Sequence, residues 1–435
     1  MEQLNGFPAY FFSPLSLANM SGMARVLGEL LTSANLYFWF LVLLLLRFVL
    51  PDILLWLTSV FYPRALIARQ GPGLPENPLV SIVIAGRNVE HSIAKMIQSA
   101  LQCGYHNLEV IFVDDFSADG SVARARAWEK TGRVRVFEAR NHNGKPGSLN
   151  IGLTLARGDY IFIPDADCEL QPGIIQHLLA PFADAKVGAV SANLRVRNAA
   201  RNWVTRFQEC EYALNVSISR LWRAPLNMLS ILPGAGSMFR TVAMRQLGGY
   251  DSGLGDDTDL TLRLRKQGWK LRFALDAIVW TDVPGHYGWL LRQRSRWSRN
   301  MIKIRLHKHG DLYHFWRFGW VNALVFGDVL IFRVILPFLA LWGVVYFILT
   351  DPFSTPALLT VVYWLTTFFL FIKLLIAHDI AATPRLKMLW LAPLYPFYRL
   401  PIHLVELLSM LREFLRIRLW HPYVPERIWA RIPHW

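Results

Sequence analysis

Short apolar bursts separated by polar, glycine-rich turns run from about residue 79 to 280, and longer apolar stretches lie on either side. In the middle region, 80–84 (Val-Ser-Ile-Val-Ile) and 108–113 (Leu-Glu-Val-Ile-Phe-Val) predict strands, and 90–102 between them has helical spacing. Strand, helix, strand at that distance is a βαβ unit, which predicts a parallel sheet with helices on its faces. Further strands are expected at 134–137, 160–163 and 187–191. Ligands bind beyond the carboxyl ends of the strands in such sheets, so candidate chemistry is sought just after each strand.

Spanning a bilayer takes ~20 apolar residues. The run 36–61, broken by Arg47, Pro51 and Asp52, predicts one kinked or tilted transmembrane helix after an arm at 1–35; it is too long for a cleaved signal peptide. Two more spans are expected at 328–349 and 356–377. The segment 389–410 contains Pro393, Pro396 and Pro401 with Arg399, His403 and Glu406, so it reads as broken, re-entrant or transmembrane, followed by a basic tail at 411–435. Arg25 is the only Lys or Arg of the arm, whereas Arg64 and Arg69 follow the first run. The basic side predicts an integral inner (plasma) membrane protein with a cytoplasmic catalytic region at 62–284.

Composition agrees with that division. Apolar residues make up 53% and charged residues 18%, against ~25% charged in soluble globular proteins. Disorder, collagen and a disulfide scaffold are excluded; Cys103, Cys168 and Cys210 lack paired metal-ligand spacing and read as buried hydrophobes. The net charge of +15 resides largely beside the apolar runs. Eight Lys or Arg and the single acid Asp311 occupy 285–317, interleaved with Trp289, Leu290, Trp297 and Ile302, a pattern that predicts amphipathic interfacial helices on an anionic membrane surface. Phospholipid then supplies the phosphate charge, and nucleic acid is not expected as a partner.

Four polar clusters follow the strands. Asp114-Asp115-Phe116-Ser117 closes the second strand; its acids could accept from a base N–H or a ribose hydroxyl, or simply cap a helix. Asn143-Gly144-Lys145-Pro146-Gly147-Ser148-Leu149-Asn150 is a glycine-containing turn with an ammonium, leading into a helix at 148–156. That suits a diphosphate, although the Walker spacing is absent. An apolar strand ends in Asp165-Ala166-Asp167, two carboxylates suited to a hard divalent cation. Gly255-Asp256-Asp257-Thr258-Asp259 opens a helical stretch at 260–267 and offers either acids favoured by the helix dipole or a general base. Last, Gln293-Arg294-Ser295-Arg296-Trp297 lies within the basic run.

In this order and spacing the motifs resemble the membrane-embedded family 2 glycosyltransferases, the branch of cellulose, chitin-oligosaccharide, hyaluronan and poly-N-acetylglucosamine synthases, over roughly half of the chain. The resemblance implies an α/β GT-A fold with a mostly parallel, Rossmann-like sheet flanked by transmembrane and interfacial helices. It implies a metal-dependent hexosyltransferase using a UDP-sugar with Mg2+ or Mn2+. By it Asp115 contacts the uracil; Lys145, Asp165 and Arg296 bind the nucleotide sugar; Asp165 and Asp167 hold the metal, Asp167 directly; Asp257 is the base. Gln293, Trp297, Asp256 and Gly236 take the acceptor side, Gly236 in the segment Gly234–Arg240. Ala85, Phe116 and Gly255-Asp256 depart from the family pattern without removing an essential charge.

The expected activity is inverting transfer that elongates a β-linked polysaccharide and exports it through the chain's own membrane segments. A membrane lipid and a small accessory membrane subunit are further expected partners. Single transfer to a lipid acceptor is the rival reading, and a lipid-binding scaffold without activity ranks below both. No spacing identifies the sugar.

Overall fold

A computed structural model describes Val42 and residues 76–415, apart from 252–254, 351, 354 and 381–385. The arm, nearly all of the expected first span and most of the basic tail lie outside the described residues.

The strands are β1 (Val80–Gly86), β2 (Leu108–Asp114), β3 (Val134–Glu138), β4 (Tyr160–Ile163), β5 (Glu169–Leu170), β6 (Val187–Val196), β7 (Ser237–Arg240) and β8 (Lys270–Thr281). They form one sheet in the order β3-β2-β1-β4-β7-β6-β8-β5. β1 to β4 are mutually parallel, with α1 (Ile93–Leu101), α2 (Ser121–Arg126) and α3 (Gly144–Leu155) in the connections. β1 is buried on both faces: Ile82 and Ile84 pack with Ile93, Ile97 and Phe112, and Val83 and Ala85 pack with Ile111, Val113 and Leu149. This double burial explains the unbroken apolar runs of the parallel strands.

The sheet is mixed, and this corrects the mostly parallel expectation. β7 lies antiparallel between β4 and β6, with Ile163 opposite Ser237 and Ser191 opposite Ser237 on the other side. Because β7 runs backwards, its amino-terminal end meets the carboxyl end of β4. The segment 234–236 is thereby delivered to the edge where Asp165 emerges. The order of strands along the chain does not reveal this inserted partner.

The remaining helices are α4 (Ile174–Leu179), α5 (Trp203–Tyr212), α6 (Ser219–Arg223), α7 (Thr241–Leu247), α8 (Asp256–Lys266) and α9 (Tyr287–Ile302). They are followed by α10 (Trp320–Thr350), α11 (Thr355–Ile380) and α12 (Tyr395–Phe414). A π-helical segment, Ala213–Ile218, joins α5 to α6, another, Lys303–Lys308, follows α9, and a third, Leu330–Ile335, lies inside α10. Two stretches, Trp320–Thr350 and Thr355–Leu375, are long and apolar enough to cross a membrane, and only 22% and 17% of their most apolar windows are buried, unlike core helices of a soluble protein.

Within 389–410 a 3-10 helix, Leu386–Leu391, ends before a turn that contains Pro393, and α12 follows; Pro396 sits in its first turn, where no intrahelical N–H is needed, and the helix continues through Pro401. One stripe of α9 is covered by protein. Leu290, Arg294, Ser298 and Ile302 are buried, and α12 is tied to α9 by Tyr287 Oη donating to Tyr398 O (2.7 Å) and by Ser409 Oγ donating to Ser295 Oγ (2.7 Å).

Candidate active site

The first corner forms where β2 ends. Asp114 accepts from the amide and hydroxyl of Ser117 (2.9 and 2.5 Å), and Phe116 takes φ +62° in the turn so closed. Asp114 is therefore the turn's cap. Asp115 is buried and faces the next loop, with Oδ2 2.6 Å from His142 Nδ1 and Oδ1 accepting from the Asn143 amide at 2.6 Å. The structure thus joins Asp115 to the loop that opens α3.

Lys145 lies within the first turn of α3, which begins four residues earlier than the sequence pattern suggests. The helix sits close to the sheet because Gly152 faces β1; a Cβ there would meet Val83 Cγ1 at 2.3 Å. Lys145 Nζ reaches Asp165 Oδ1 at 2.5 Å. Burial works to lower its pKa, but Asp165, Asp257 and Asp256 outweigh it and hold the ammonium well above its ordinary value. Asp165 is one-third exposed, at 34% of its side chain. Asp167, two residues on, is exposed, and its pKa is raised by desolvation against the cleft wall and then by the Asp165 charge. No three His, Cys, Asp or Glu side chains converge as a metal-binding group among the described residues. Two like-charged carboxylates at a strand end nonetheless fit a hard divalent cation that completes its shell with water and substrate oxygens.

Asp256 and Asp257 open α8 after Gly255, whose φ is +78°. The Asp257 carboxylate lies against Gly234, where a Cβ would come within 2.3 Å of Oδ1. Only glycine admits this approach, and a backbone hydrogen bond from Gly234 stabilises the carboxylate. Burial, then Asp256 and Asp165, nevertheless push the Asp257 pKa up to about 7, with Lys145 opposing. Asp256 is raised in the same way, by burial above all, with Lys145 and Arg296 opposing. Asp165, Lys145, Asp256 and Asp257 thus form one electrostatic cluster, and Arg296 approaches it from α9.

Asp259 belongs elsewhere. It is buried and bonded to Arg263 Nε (2.7 Å), Lys308 Nζ (2.6 Å) and His309 Nε2 (2.8 Å). Burial opposes ionisation, but the bonds to His309 and Lys308 hold its pKa far below the ordinary value. It anchors α8 to the π-helical turn after α9.

On α9, Gln293 Oε1 is buried without a hydrogen-bond partner among the described residues. Trp297 is 43% exposed, with the Arg294 guanidinium 4.2 Å from its ring centroid. The same guanidinium pairs with Glu211 of α5 at 2.9 Å.

Gly236 is the residue of the 234–240 segment expected on the acceptor side. It is buried in the sheet, its O accepting from Ala192 N (2.8 Å), with Val279 and Leu194 against the position of a Cβ. Gly234 is the residue of this segment that touches the Asp257 carboxylate. Sequence reasoning reached Asn150 only as the end of the 143–150 turn and missed its contact: the side chain accepts from Tyr250 N and donates to Tyr250 O (both 2.8 Å), pinning the loop before α8 to α3. The Gly248-Gly249-Tyr250 run was the available signal: a Cβ at Gly249 would lie 2.4 Å from Asn150 Oδ1.

A model of "Glycosyltransferase like family 2" matches residues 76–300, a span that holds every site residue named above. The chain belongs to glycosyltransferase family 2. It is 29% identical over 316 residues to the probable glycosyltransferase YdaM of Bacillus subtilis, covering 68% of this chain and 73% of that one. It is 31% identical to a beta-monoglucosyldiacylglycerol synthase of Trichormus variabilis, covering 51% and 48%. It is 23% identical to a poly-beta-1,6-N-acetyl-D-glucosamine synthase of Staphylococcus epidermidis, covering 52% and 55%. The chain spans about half the length of these last two. Its fold is similar to that of a mannosyltransferase from Pyrobaculum calidifontis solved with GDP-Man and Mn2+, with TM-score 0.58, 17% identity and coverage of 88% and 100%.

Proposed function

We propose that this chain is an inverting glycosyltransferase that moves a hexosyl group from a UDP-sugar to a hydroxyl presented at the inner face of a membrane. The observation that carries this reading is the Asp257 carboxylate: seated on Gly234 and poised at about pH 7 between Asp256, Asp165 and Lys145, it suits a general base. Asp257 takes the proton from the acceptor hydroxyl as that oxygen bonds to the anomeric carbon. The bond from that carbon to the diphosphate breaks, its electron pair leaves with UDP, and an α-linked donor gives a β-linkage. Lys145 and Arg296 supply positive charge where the diphosphate develops negative charge. Asp165 and Asp167 would hold Mg2+ or Mn2+, which supplies further neutralisation of the leaving group. Asp115 is assigned to the uracil, and exchanges its bonds from His142 and Asn143 for the base N–H. Gln293, Trp297 and Asp256 border the acceptor.

Membrane placement is supported by the two exposed apolar helices and by the aromatic residues at their entry. Phe315 and Trp320 stack at 3.8 Å, and Trp316 and Trp320 are exposed, as in the interfacial belt of membrane proteins. For the acceptor, a growing β-linked polysaccharide is the first reading, from the motif order shared with the processive branch. A lipid acceptor is the second, favoured by 31% identity to a protein named for glucosylating diacylglycerol. Incubating the full chain, in lipid nanodiscs, with radiolabelled UDP-glucose or UDP-N-acetylglucosamine and Mn2+ and sizing the product separates them. A long polymer supports elongation, a monoglycosylated lipid supports the second reading, and no transfer from any UDP-sugar overturns the donor assignment.

A further inference from the structure

The hydroxyl of Thr261 joins the two pieces of chain that hold the Asp257 carboxylate. Thr261 lies on α8 one turn after Asp257 and is fully buried. Its Oγ1 donates to Asp257 O at 2.6 Å and accepts from Leu232 N at 2.9 Å. Leu232 stands two residues before Gly234, the glycine against which the Asp257 carboxylate rests. The contacts close a small ring, which runs from that carboxylate to Gly234, back along the chain to Leu232 N, and through the hydroxyl to Asp257 O. Ser237 Oγ donates to Pro233 O at 2.7 Å, so the stretch from Leu232 to Ser237 has little slack.

A helical threonine commonly returns its hydroxyl to the carbonyl four residues earlier, and that habit accounts for the bond to Asp257 O. It does not account for the Leu232 amide, which comes from another segment. A buried amide needs an acceptor, and supplying one would be a purely structural service anywhere else. Here the amide is part of the ring that seats the carboxylate. Neighbouring ties hold other atoms. Arg263 donates to Leu247 O and Gly249 O (2.9 and 2.8 Å), ahead of α8. Arg265 Nη1 donates to Asn227 O and Leu229 O (2.7 and 3.2 Å), and Arg305 to Ser230 O, all ahead of Leu232. Loss of the Thr261 hydroxyl therefore leaves both segments attached and removes the bond that spaces them at the carboxylate.

We propose that Thr261 is a positioning residue of the reaction, its hydroxyl fixing the separation of Gly234 and the Asp257 carboxylate and hence where the base meets the acceptor hydroxyl. This rests on the reading of Asp257 as the base. Thr261→Val keeps the shape and removes the hydroxyl, whereas Thr261→Ser keeps the hydroxyl. The full chain, in lipid nanodiscs with Mn2+, is assayed for UDP release from UDP-glucose and UDP-N-acetylglucosamine. Displacing a reacting group by about 1 Å can cost ~10²-fold in rate, so Thr261→Val should lose about 10- to 100-fold in kcat, with the KM for the UDP-sugar within about twofold of wild type. Thr261→Ser should retain most of the wild-type kcat. If Thr261→Val folds poorly, Thr261→Cys takes its place: it differs from the serine variant only in sulfur, a weak donor and acceptor, and should show the same loss. Wild-type kcat in the valine or cysteine variant, a serine variant as slow as they are, or a loss that falls on KM rather than kcat overturns the proposal. Asp257→Asn separates the two failures. Wild-type turnover there removes the base and this proposal with it, whereas an inactive Asp257→Asn beside a fully active Thr261→Val removes the role of Thr261 alone.

Discussion

Arg294 Nη2 lies 2.9 Å from Glu211 Oε2, joining the helix that carries Gln293, Arg296 and Trp297 to α5, and both side chains are buried. Glu211 also accepts from Arg399 Nη1 at 3.0 Å and from Tyr398 Oη at 3.3 Å, both on α12. One carboxylate therefore sets three helices relative to one another. Arg294 in turn backs the Trp297 ring, so the network ends at the half-exposed Trp297.

Glu211→Gln should leave the Arg294 guanidinium without its counter-charge, whereas Arg399 keeps Glu406 at 3.5 Å. Breaking a buried pair costs ~3 kcal/mol, so a lowered unfolding temperature is expected. If the network positions α9, kcat should fall while the KM for the UDP-sugar stays near wild type. A variant that is destabilised but turns over normally in its folded fraction would make Glu211 structural only.

Asp257→Asn removes the proposed base. Transfer should drop by ~10²–10⁴-fold, the range of general-base contributions, while UDP binding, followed by calorimetry, is retained. Wild-type turnover in this variant would exclude Asp257 as the base.

The raised pKa of Asp257 has opposite consequences for activity and stability. The carboxylate must be ionised to accept a proton, so kcat/KM in the wild type should rise with pH through about 7. The folded state binds this proton more tightly than the unfolded chain, whose group titrates near 3.8. The stabilisation so gained is complete below about 3.8 and is lost as pH rises through about 7. Chemical unfolding at pH 5 and pH 8 should show this loss in the wild type and a smaller one in Asp257→Asn.

Gly234→Ala places a methyl where the base sits, within 2.3 Å of Oδ1. Displacing a reacting group by about 1 Å can cost ~10²-fold in rate. The expected outcome is a loss of kcat of that order with UDP affinity kept; a rate within twofold of wild type would show that the carboxylate can move without consequence.

Chelation should abolish transfer, and Mn2+ or Mg2+ should restore it. Asp167→Asn relieves the repulsion with Asp165 but removes a hard anionic ligand, so half-maximal activity should require more Mn2+. An unchanged Mn2+ requirement would exclude Asp167 as a ligand.

Part of the candidate site was legible along the chain because Asp115 and Asp165 sit directly after apolar strands, where topology alone brings them to one edge. Lys145 needed only its place at a helix start, whereas Asp257 opens α8 and follows no strand directly. Which acid of the 256–259 cluster faces Lys145 and Asp165 was not legible from spacing. Asp257 and Asp259 are two residues apart on α8, yet one faces Gly234 and the other is enclosed by Arg263, Lys308 and His309. The helix turns them to different surroundings, and partners distant in sequence decide their charge. The choice of Gly234 over Gly236 likewise depends on β7 running antiparallel to β4.

The sequence by itself determined the sheet-forming core, the apolar helices and the order of the polar clusters, because these depend on periodicity and on neighbours a few residues away. Tertiary structure decided the inserted strand and the burial of Arg294 between α5 and α12. Each of these is a meeting of segments remote along the chain, and the free energy of burying a charge depends on what meets it there.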